Sequence, residues 1–238
     1  MTRRIAAFCT ILSLAQAYEG PAPKEVAEQG GIYVGIEALM GYRSDYVYRG
    51  EYVAESSMEI QISGGVALDD DWYVQGELFY LNECEASPFR QIQILGELNY
   101  YLNAESTIGY YVSGQEFDRT TLESGIEQGV IWRWNPSLDW GIKAKIVYDS
   151  GQEGTYAKIQ ASYMPLIVEN IAWVNCAQVA CAINYADTDG IKELMLRTGL
   201  SWAVNESWKI EPYVAWYYGV GRDDFSQFCA GFWLSYSF

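Results

Sequence analysis

The side chains best suited to chemistry in this 238-residue sequence are charged residues that alternate with apolar neighbours along short stretches. Two-residue alternation places such groups together on one polar face of a β-strand. Carboxylates, ammonium groups and guanidinium groups on that face can pair with one another or orient a charged solute. The candidates for a shared polar lumen are Glu77, Glu97, Arg133, Lys143, Lys145, Lys158, Arg197, Glu211 and Trp233. Since most basic candidates lie between Trp132 and Met164, we expect a basic wall that faces glutamates of earlier strands.

Histidine is absent from the sequence, and this absence removes several classes of function. Ser–His–Asp and Cys–His catalysis both require an imidazole base, and His-based metal sites require it as a ligand. An enzyme would have to rely on carboxylates of the connecting loops, which are ordinary on exposed surfaces. We therefore predict that the protein is not an enzyme and uses no cofactor or metal.

The cysteines beyond residue 17 match no zinc-binding pattern. They are Cys84, Cys176, Cys181 and Cys229. The alternation puts Cys176 and Cys229 on the polar face and Cys181 on the apolar face. The favoured interpretation is that they are small unpaired side chains, and a disulfide remains the alternative.

Residues 1–17 have the three parts of a secretory signal peptide. Arg3 and Arg4 supply a positive start, Ile5 to Leu14 an apolar centre, and Ala15-Gln16-Ala17 a cleavage site with small residues. The apolar centre is too short to span a bilayer as a helix. We therefore predict cleavage after residue 17 and export across the inner membrane.

The charge balance is strongly acidic, with a formal net charge of −16. Without residues 1–17 the chain has 15 − 2 = 13 basic residues against 31 acidic ones, a net charge of −18. Nucleic acid is therefore not an expected partner, because phosphate backbones are bound through Lys and Arg patches. Residues 18–30 contain Pro21 and Pro23 and are predicted to form a flexible periplasmic N-terminal segment.

From residue 31 to residue 238 the sequence alternates between apolar and polar residues in about twelve stretches. In one of them Ile60 and Ile62 alternate with Glu59 and Gln61. Most stretches have a length close to that of a tilted strand that crosses a membrane, which needs about 9–11 residues. We predict an all-β fold for residues 31–238: a transmembrane, antiparallel, up-and-down β-barrel of about 12 strands, with 10–14 possible.

The connections between these stretches are of two kinds. Short polar ones precede aromatic or apolar residues and are predicted to be periplasmic turns beside an aromatic girdle. They are Asp69–Asp71, Asn103–Ser106, Asn135–Ser137 and Asn205–Ser207. The alternate connections, beginning with a loop over Arg43–Ser57, are more charged and are predicted to face outside, and none is long enough for a folded plug.

A secreted β-sandwich or a lipocalin-like barrel is the alternative, because each also buries an apolar face. Two observations favour the membrane barrel. Tryptophan and tyrosine collect at strand ends, where a membrane interface would hold them. The alternation also reaches the first and last stretches, as a closed barrel without unpaired edges requires.

The last stretch, Phe228–Phe238, has apolar residues at every even position. It resembles the terminal strand of bacterial outer-membrane β-barrels, which ends in an aromatic residue. The resemblance implies location in the cell outer membrane, contact with outer-membrane lipid, and insertion by the barrel-assembly machinery. The implied assembly signal consists of Phe232, Leu234, Tyr236 and Phe238.

The stretch Gly41–Gly50 resembles the first-strand motif Ser-Asp-Tyr-x-Tyr/Phe-Arg-Gly of a poorly characterised group of Gram-negative outer-membrane proteins. The matching residues are Asp45, Tyr46, Tyr48, Arg49 and Gly50. In the favoured structural interpretation Arg49 pairs with an inward carboxylate such as Glu59, and Gly50 relieves a bend. In the functional alternative, the two tyrosines and the arginine line a constriction at the entrance.

The predicted function follows from the strand number. About eight strands give an interior that side chains just fill, whereas about sixteen leave an open channel. Twelve strands lie between these limits. We predict a narrow, passive, porin-like channel for small polar solutes, and the alternative is a structural or adhesive barrel with a filled lumen and no transport.

Overall fold

The computed structural model describes residues 34–84, 89–118, 120, 122–185, 188–220 and 225–238. The predicted signal peptide, the predicted segment 18–30 and the first residues of the predicted barrel lie outside the described residues. No helix among the described residues is long and apolar enough to cross a membrane. The strands of the described residues are β1 Val34–Tyr48, β2 Glu51–Ala67, β3 Trp72–Glu83, β4 Arg90–Asn103, β5 Ser106–Asp118, β6 Gly125–Trp134, β7 Trp140–Asp149, β8 Gly154–Tyr163, β9 Leu166–Val168, β10 Ile171–Tyr185, β11 Thr188–Ala203, β12 Trp208–Gly219 and β13 Phe225–Ser237.

The strands form one closed antiparallel sheet. Each wall strand pairs with its neighbour in the chain, β8 pairs with β10, and β13 pairs back to β1. The three-residue strand β9 lies in the connection between β8 and β10 and pairs with β10. The wall therefore has twelve strands, and the predicted fold class is confirmed.

The two faces of the wall are inverted relative to those of a soluble protein. On β2, Ile60 and Ile62 are 49% and 47% exposed, whereas Glu59 and Gln61 are only 3% and 7% exposed. Large aliphatic residues normally lie in the core and glutamate normally lies in water. The apolar face thus points outward and the polar face inward, as a barrel surrounded by lipid requires.

The short turns after β2, β4, β6, β8 and β11 all lie at the end of the barrel that carries Phe238, which we name the turn end. Tryptophans that begin strands at this end lie against tyrosines of the paired strands. The ring pairs are Trp72–Tyr100, Trp140–Tyr163 and Trp208–Tyr236, with centroid distances of 4.8, 4.6 and 4.8 Å. This arrangement matches the aromatic girdle expected beside the periplasmic turns.

At the opposite, loop end, the prediction of a loop over Arg43–Ser57 is wrong. β1 and β2 continue through this stretch and are joined by a two-residue turn, in which Arg49 and Gly50 have φ angles of 50° and 76°. Positive φ at both central residues is characteristic of the type I′ hairpin turn, whose twist matches that of its strands. Gly50 adopts this conformation without the steric cost that a Cβ would bring.

The tip of this hairpin leaves the barrel wall. Pairing of β1 with β13 ends at Arg43 opposite Gly231, and pairing of β2 with β3 ends at Ser57 opposite Glu83. Residues 44–56, which we name the closing hairpin, extend beyond both ladders.

The closing hairpin bends inward. The β1–β2 register shifts between Tyr46 and Val47, and Ser56 has a φ angle of 41°; such irregularities bend a strand pair. Tyr46, Val47 and Ala54 are all buried. Tyr46 and Ala54 belong to one apolar cluster with wall and loop residues. The expectation that no connection at this end forms a plug is therefore wrong, because strand extensions rather than a loop enter the barrel.

Candidate functional site: the closed lumen

Arg49, at the tip of the closing hairpin, contacts the far side of the barrel. It forms an ion pair with Glu127 on β6, and its Nη1 lies 3.0 Å from Asp149 Oδ2 on β7. Nη1 also donates a hydrogen bond to the Tyr185 hydroxyl on β10 at 2.7 Å. The guanidinium lies 4.9 Å from the ring centre of Tyr156, within cation–π range. One side chain thus connects four wall strands across the lumen.

Neighbouring residues of the hairpin extend this contact around the wall. The Tyr46 hydroxyl donates to Gln91 Oε1 on β4 at 2.6 Å, and Tyr48 donates to Gln115 on β5. The Gly50 N–H donates to Glu193 Oε2 on β11 at 2.7 Å, and Glu51 forms an ion pair with Lys192 of the same strand. The hairpin therefore lies across the lumen at the loop end, and the role of its tyrosines and arginine as an entrance constriction stays a prediction.

The proposed pairing of Arg49 with Glu59 is wrong. Glu59 instead pairs with Arg43, which lies before the bend, and accepts a hydrogen bond from the indole N–H of Trp233. Trp233 is 8% exposed and points inward, as the alternation of β13 predicts. The Arg197 guanidinium lies 4.8 Å from its ring centre.

Gly41 makes room for this tryptophan. A Cβ at Gly41 would overlap the Trp233 indole and would also approach the Glu59 carboxylate. Trp233 therefore lies across the backbone of β1 at the base of the closing hairpin.

A second ion pair lies within the wall itself. Arg133 on β6 donates from Nη1 and Nη2 to the two carboxylate oxygens of Glu97 on β4, at 2.5 and 3.0 Å. Asn99 accepts a further bond from Arg133 at 3.0 Å, and the Gln75 amide donates to Glu97 at 3.0 Å. Two-pronged pairs of this kind fix the orientation of both groups. Arg133 and Glu97 thus share one side of the barrel, which contradicts the expectation that they face each other.

The lysine candidates lie together on β7 and β8. Lys145 lies directly opposite Lys158, and Lys143 lies opposite Gln160. Lys145 Nζ is 3.8 Å from Glu127 Oε2 and 3.8 Å from the ring centre of Tyr111. These lysines form the basic wall predicted from sequence, although Arg133 is engaged elsewhere.

The remaining lumen candidates lie toward the turn end or on early strands. Arg197 Nη2 is 3.9 Å from Glu211 Oε1, and Lys209 Nζ is 3.8 Å from Glu211 Oε2. Glu77 is half-buried on β3, opposite Ser63 of β2. Charged side chains thus face the interior from the loop end to the turn end, beside buried apolar residues such as Leu39 and Ile131.

The predicted assembly residues lie on the outer face of β13. Phe232 and Phe238 are 46% and 77% exposed, and Leu234 and Tyr236 are half-exposed. The Tyr236 and Phe238 rings pack edge to face, with centroids 4.7 Å apart. This placement suits contact with lipid, and the role in assembly stays a prediction.

The cysteines occupy the faces that the alternation predicts. Cys176 and Cys229 are buried and Cys181 is exposed. These three and Cys84 are all free thiols in the structure. Within the described ranges, no group of three or more Cys, Asp or Glu side chains is arranged to hold a metal ion.

Sequence reasoning missed the partners of the closing hairpin. Asp149, Tyr111 and Tyr185 are not among the lumen candidates that the sequence predicts. The sequence contains one signal of a filled entrance. Tyrosines on the inward face near the loop end are bulky, and an open aqueous entrance does not need such bulk. Tyr111 and Tyr156 are of this type, whereas the alternation predicts an outward Tyr185, which is buried because the register of β10 shifts before it.

The solved structures that resemble this chain include outer-membrane β-barrels of different functions. The KdgM porin in complex with disordered oligogalacturonate has a TM-score of 0.54 at 13% identity, covering 86% of this chain and 99% of that chain. An outer-membrane channel from Pseudomonas putida has a TM-score of 0.54 at 9% identity, covering 87% and 96%. Outer-membrane phospholipase A from Escherichia coli has a TM-score of 0.54 at 14% identity, covering 96% and 97%.

Identities this low establish the fold alone: the chain is a closed, twelve-stranded β-barrel of the outer-membrane type. Channels and a phospholipase share this architecture, so the fold does not select among functions. No protein-family model matches the sequence, and no curated protein matches it either. The resemblance of Gly41–Gly50 to a first-strand motif therefore stays a prediction.

Proposed function

We propose that this protein is a narrow, passive outer-membrane channel for small polar solutes, and that the closing hairpin shuts its loop end in the state described here. One observation carries the proposal: the residues that cover the lumen belong to a hairpin tip outside the wall ladders. β1 pairs with β13 up to Arg43, and β2 pairs with β3 from Ser57 onward. The ring of strands would therefore remain closed if the tip moved outward.

The contacts of the closing hairpin favour reversible closure. They include hydrogen bonds and ion pairs made by Tyr46, Tyr48 and Arg49, beside an apolar cluster that contains Tyr46. Exchange of one such bond for water changes the free energy by about 0.5–1.5 kcal/mol for neutral groups and by about 1.5–3 kcal/mol where a charged group takes part. Outward movement would also hydrate Glu127 and Asp149, so that few charges would lose all their partners.

The nature of the solute follows from the lining. Charged and amide side chains face inward along the barrel, and twelve strands leave at most a narrow passage between them. Small polar solutes suit such a passage. We include in the proposal that the protein is not an enzyme, that it resides in outer-membrane lipid, and that the barrel-assembly machinery inserts it.

The test is single-channel recording on the full chain in planar bilayers. The wild-type protein should open rarely, and Arg49→Ala should raise the open probability by at least about tenfold, equivalent to about 1.4 kcal/mol lost from the closed state. Arg90→Ala is the matched control, because Arg90 pairs with Asp118 at the loop end but is half-exposed and outside the lumen. It should leave the open probability unchanged.

The second candidate, a structural or adhesive barrel with a filled lumen, is favoured by the burial of inward residues. Glu127, Tyr111 and Glu211 are 0%, 1% and 1% exposed. In that case neither the wild-type protein nor Arg49→Ala would conduct at any voltage, although both would migrate as folded barrels on unheated gels. This outcome would refute the channel.

A further inference from the structure

Lys145 and Lys158 form an unusual pair in the lumen. They lie directly opposite each other on β7 and β8, and both are partly exposed. Like charges in directly opposed positions destabilise a strand pair. An anion between the two ammonium groups would convert this repulsion into attraction.

The carboxylate beside Lys145 is already shared. Glu127 Oε2 lies 3.8 Å from Lys145 Nζ, but the same carboxylate forms an ion pair with Arg49 of the closing hairpin. Glu127 is completely buried between these two basic groups. It therefore compensates Lys145 only in part.

Lys158 forms no close ion pair among the described residues, and the Glu193 carboxylate acts on it only at longer range. Its Nζ donates a long hydrogen bond of 3.5 Å to the amide oxygen of Gln178. Throughout the described ranges, no carboxylate lies within 4.0 Å of this ammonium group. Glu193, the acidic residue bound to the Gln178 amide, also accepts the backbone N–H of Gly50. A charged group in a protein interior needs a partner or water, because burial without either is costly.

Neutral donors surround the lysines. Gln160 lies opposite Lys143 on one side and opposite Gln178 on the other. Gln160 and Gln178 are half-buried, so their amide groups border space that water can reach. A carboxylate accepts strong hydrogen bonds from charged ammonium groups, and neutral amide N–H groups can add further hydrogen bonds.

The position of Lys145 and Lys158 suits a solute that has passed the closing hairpin. Asp149, which binds Arg49, and Lys145 lie on the same strand with side chains on the same face. Lys145 is four residues from Asp149, which corresponds to about 13 Å along the strand. Lys145 is thus the next basic residue on β7 behind the hairpin, and Lys158 lies opposite it on β8.

We propose that Lys145 and Lys158, with Gln160 and Gln178 beside them, form a binding site for the carboxylate of a small organic anion. This inference rests on the proposed channel and specifies its solute class. The site adjoins the closing hairpin, because Arg49 and Lys145 both contact the Glu127 carboxylate.

The test is isothermal titration of succinate into the full chain refolded in lipid vesicles. The wild-type protein should bind succinate saturably, and the double variant Lys145→Gln/Lys158→Gln should bind it at least about tenfold more weakly, because both charge-assisted contacts are lost. Lys145→Arg/Lys158→Arg keeps both charges and should retain binding. Arg90→Gln, which removes an exposed positive charge at the loop end, should bind like the wild type.

The titrations are repeated in the Arg49→Ala background, in which the hairpin no longer limits entry. Absence of saturable binding in both backgrounds, or equal affinity of the wild type and the double Gln variant, would overturn the site. Lysine-dependent binding without any conductance would overturn the channel and keep the site. Conductance without lysine-dependent binding would overturn the site and keep the channel.

Discussion

The two arginines Arg49 and Arg133 fill the lumen in opposite ways. Both side chains are buried, with exposed fractions of 9% and 4%, and both bind carboxylates of wall strands. Arg133 belongs to the wall and binds Glu97 two strands away. Arg49 belongs to a hairpin tip and binds Glu127 and Asp149 on the far side.

The difference lies in what must move to separate each pair. Arg133 and Glu97 are fixed on ladders that continue through β4, β5 and β6, so their separation requires the wall to open. Arg49 can separate from its partners when residues 44–56 move, with the wall ladders intact. The two arginines are similarly buried, but the ion pair of Arg133 is part of the wall, whereas the ion pairs of Arg49 form a closure that can be removed.

The largest expected effect comes from Arg133→Ala. Glu97 would stay buried without its partner, and removal of one member of a buried pair costs about 3–5 kcal/mol. Arg49→Ala should lower the free energy of unfolding by less, because its partners can gain water when the hairpin moves. The measurement is urea unfolding of the barrel in lipid vesicles, followed by tryptophan fluorescence. An equal or larger loss for Arg49→Ala would contradict the distinction between the two sites.

An intermediate effect is expected at the base of the closing hairpin. Gly41→Ala should displace Trp233 and disturb its bond to Glu59, at a cost of about 1–3 kcal/mol typical of overpacking. Gly96→Ala is the control, because no atom lies within 4 Å of a Cβ at Gly96. The two variants are compared in the same urea experiment. Similar urea midpoints for the two variants would show that Trp233 can move freely. The rigid part of the wall would then end on the turn-end side of Gly41.

The smallest effect is expected from Arg90→Ala. Its ion pair with Asp118 has a distance of 2.5 Å, but the two side chains are 49% and 47% exposed. Water and salt screen such pairs, and they contribute little to stability. We expect an unchanged urea midpoint at physiological salt. A clear loss of stability would indicate that the rim at the loop end is more rigid than its exposure implies.

The sequence predicted the faces of the wall because side-chain direction alternates strictly along a strand. Ile60 and Glu59 could be assigned to lipid and lumen in this way, as could Phe238 and Trp233. It also predicted the lysines of β7 and β8 as one patch, because adjacent antiparallel strands bring nearby residues together.

The contacts across the lumen could not be predicted in the same way. Alternation specifies a face, but it does not specify which inward residues of distant strands meet. The joining of Arg133 to Glu97 depends on strand stagger, which periodicity does not contain. The three-residue strand β9 is too short to produce a periodic signal.

The sequence by itself therefore determined a barrel of about twelve strands with a largely polar inner face and an apolar, aromatic exterior. The tertiary structure alone decided whether the loop end is open. A bulge at Tyr46 and a positive φ at Ser56 turn a regular hairpin into the lumen. Arg49 then reaches Glu127 and Asp149, because closing of the barrel brings residues far apart in sequence to within hydrogen-bonding distance.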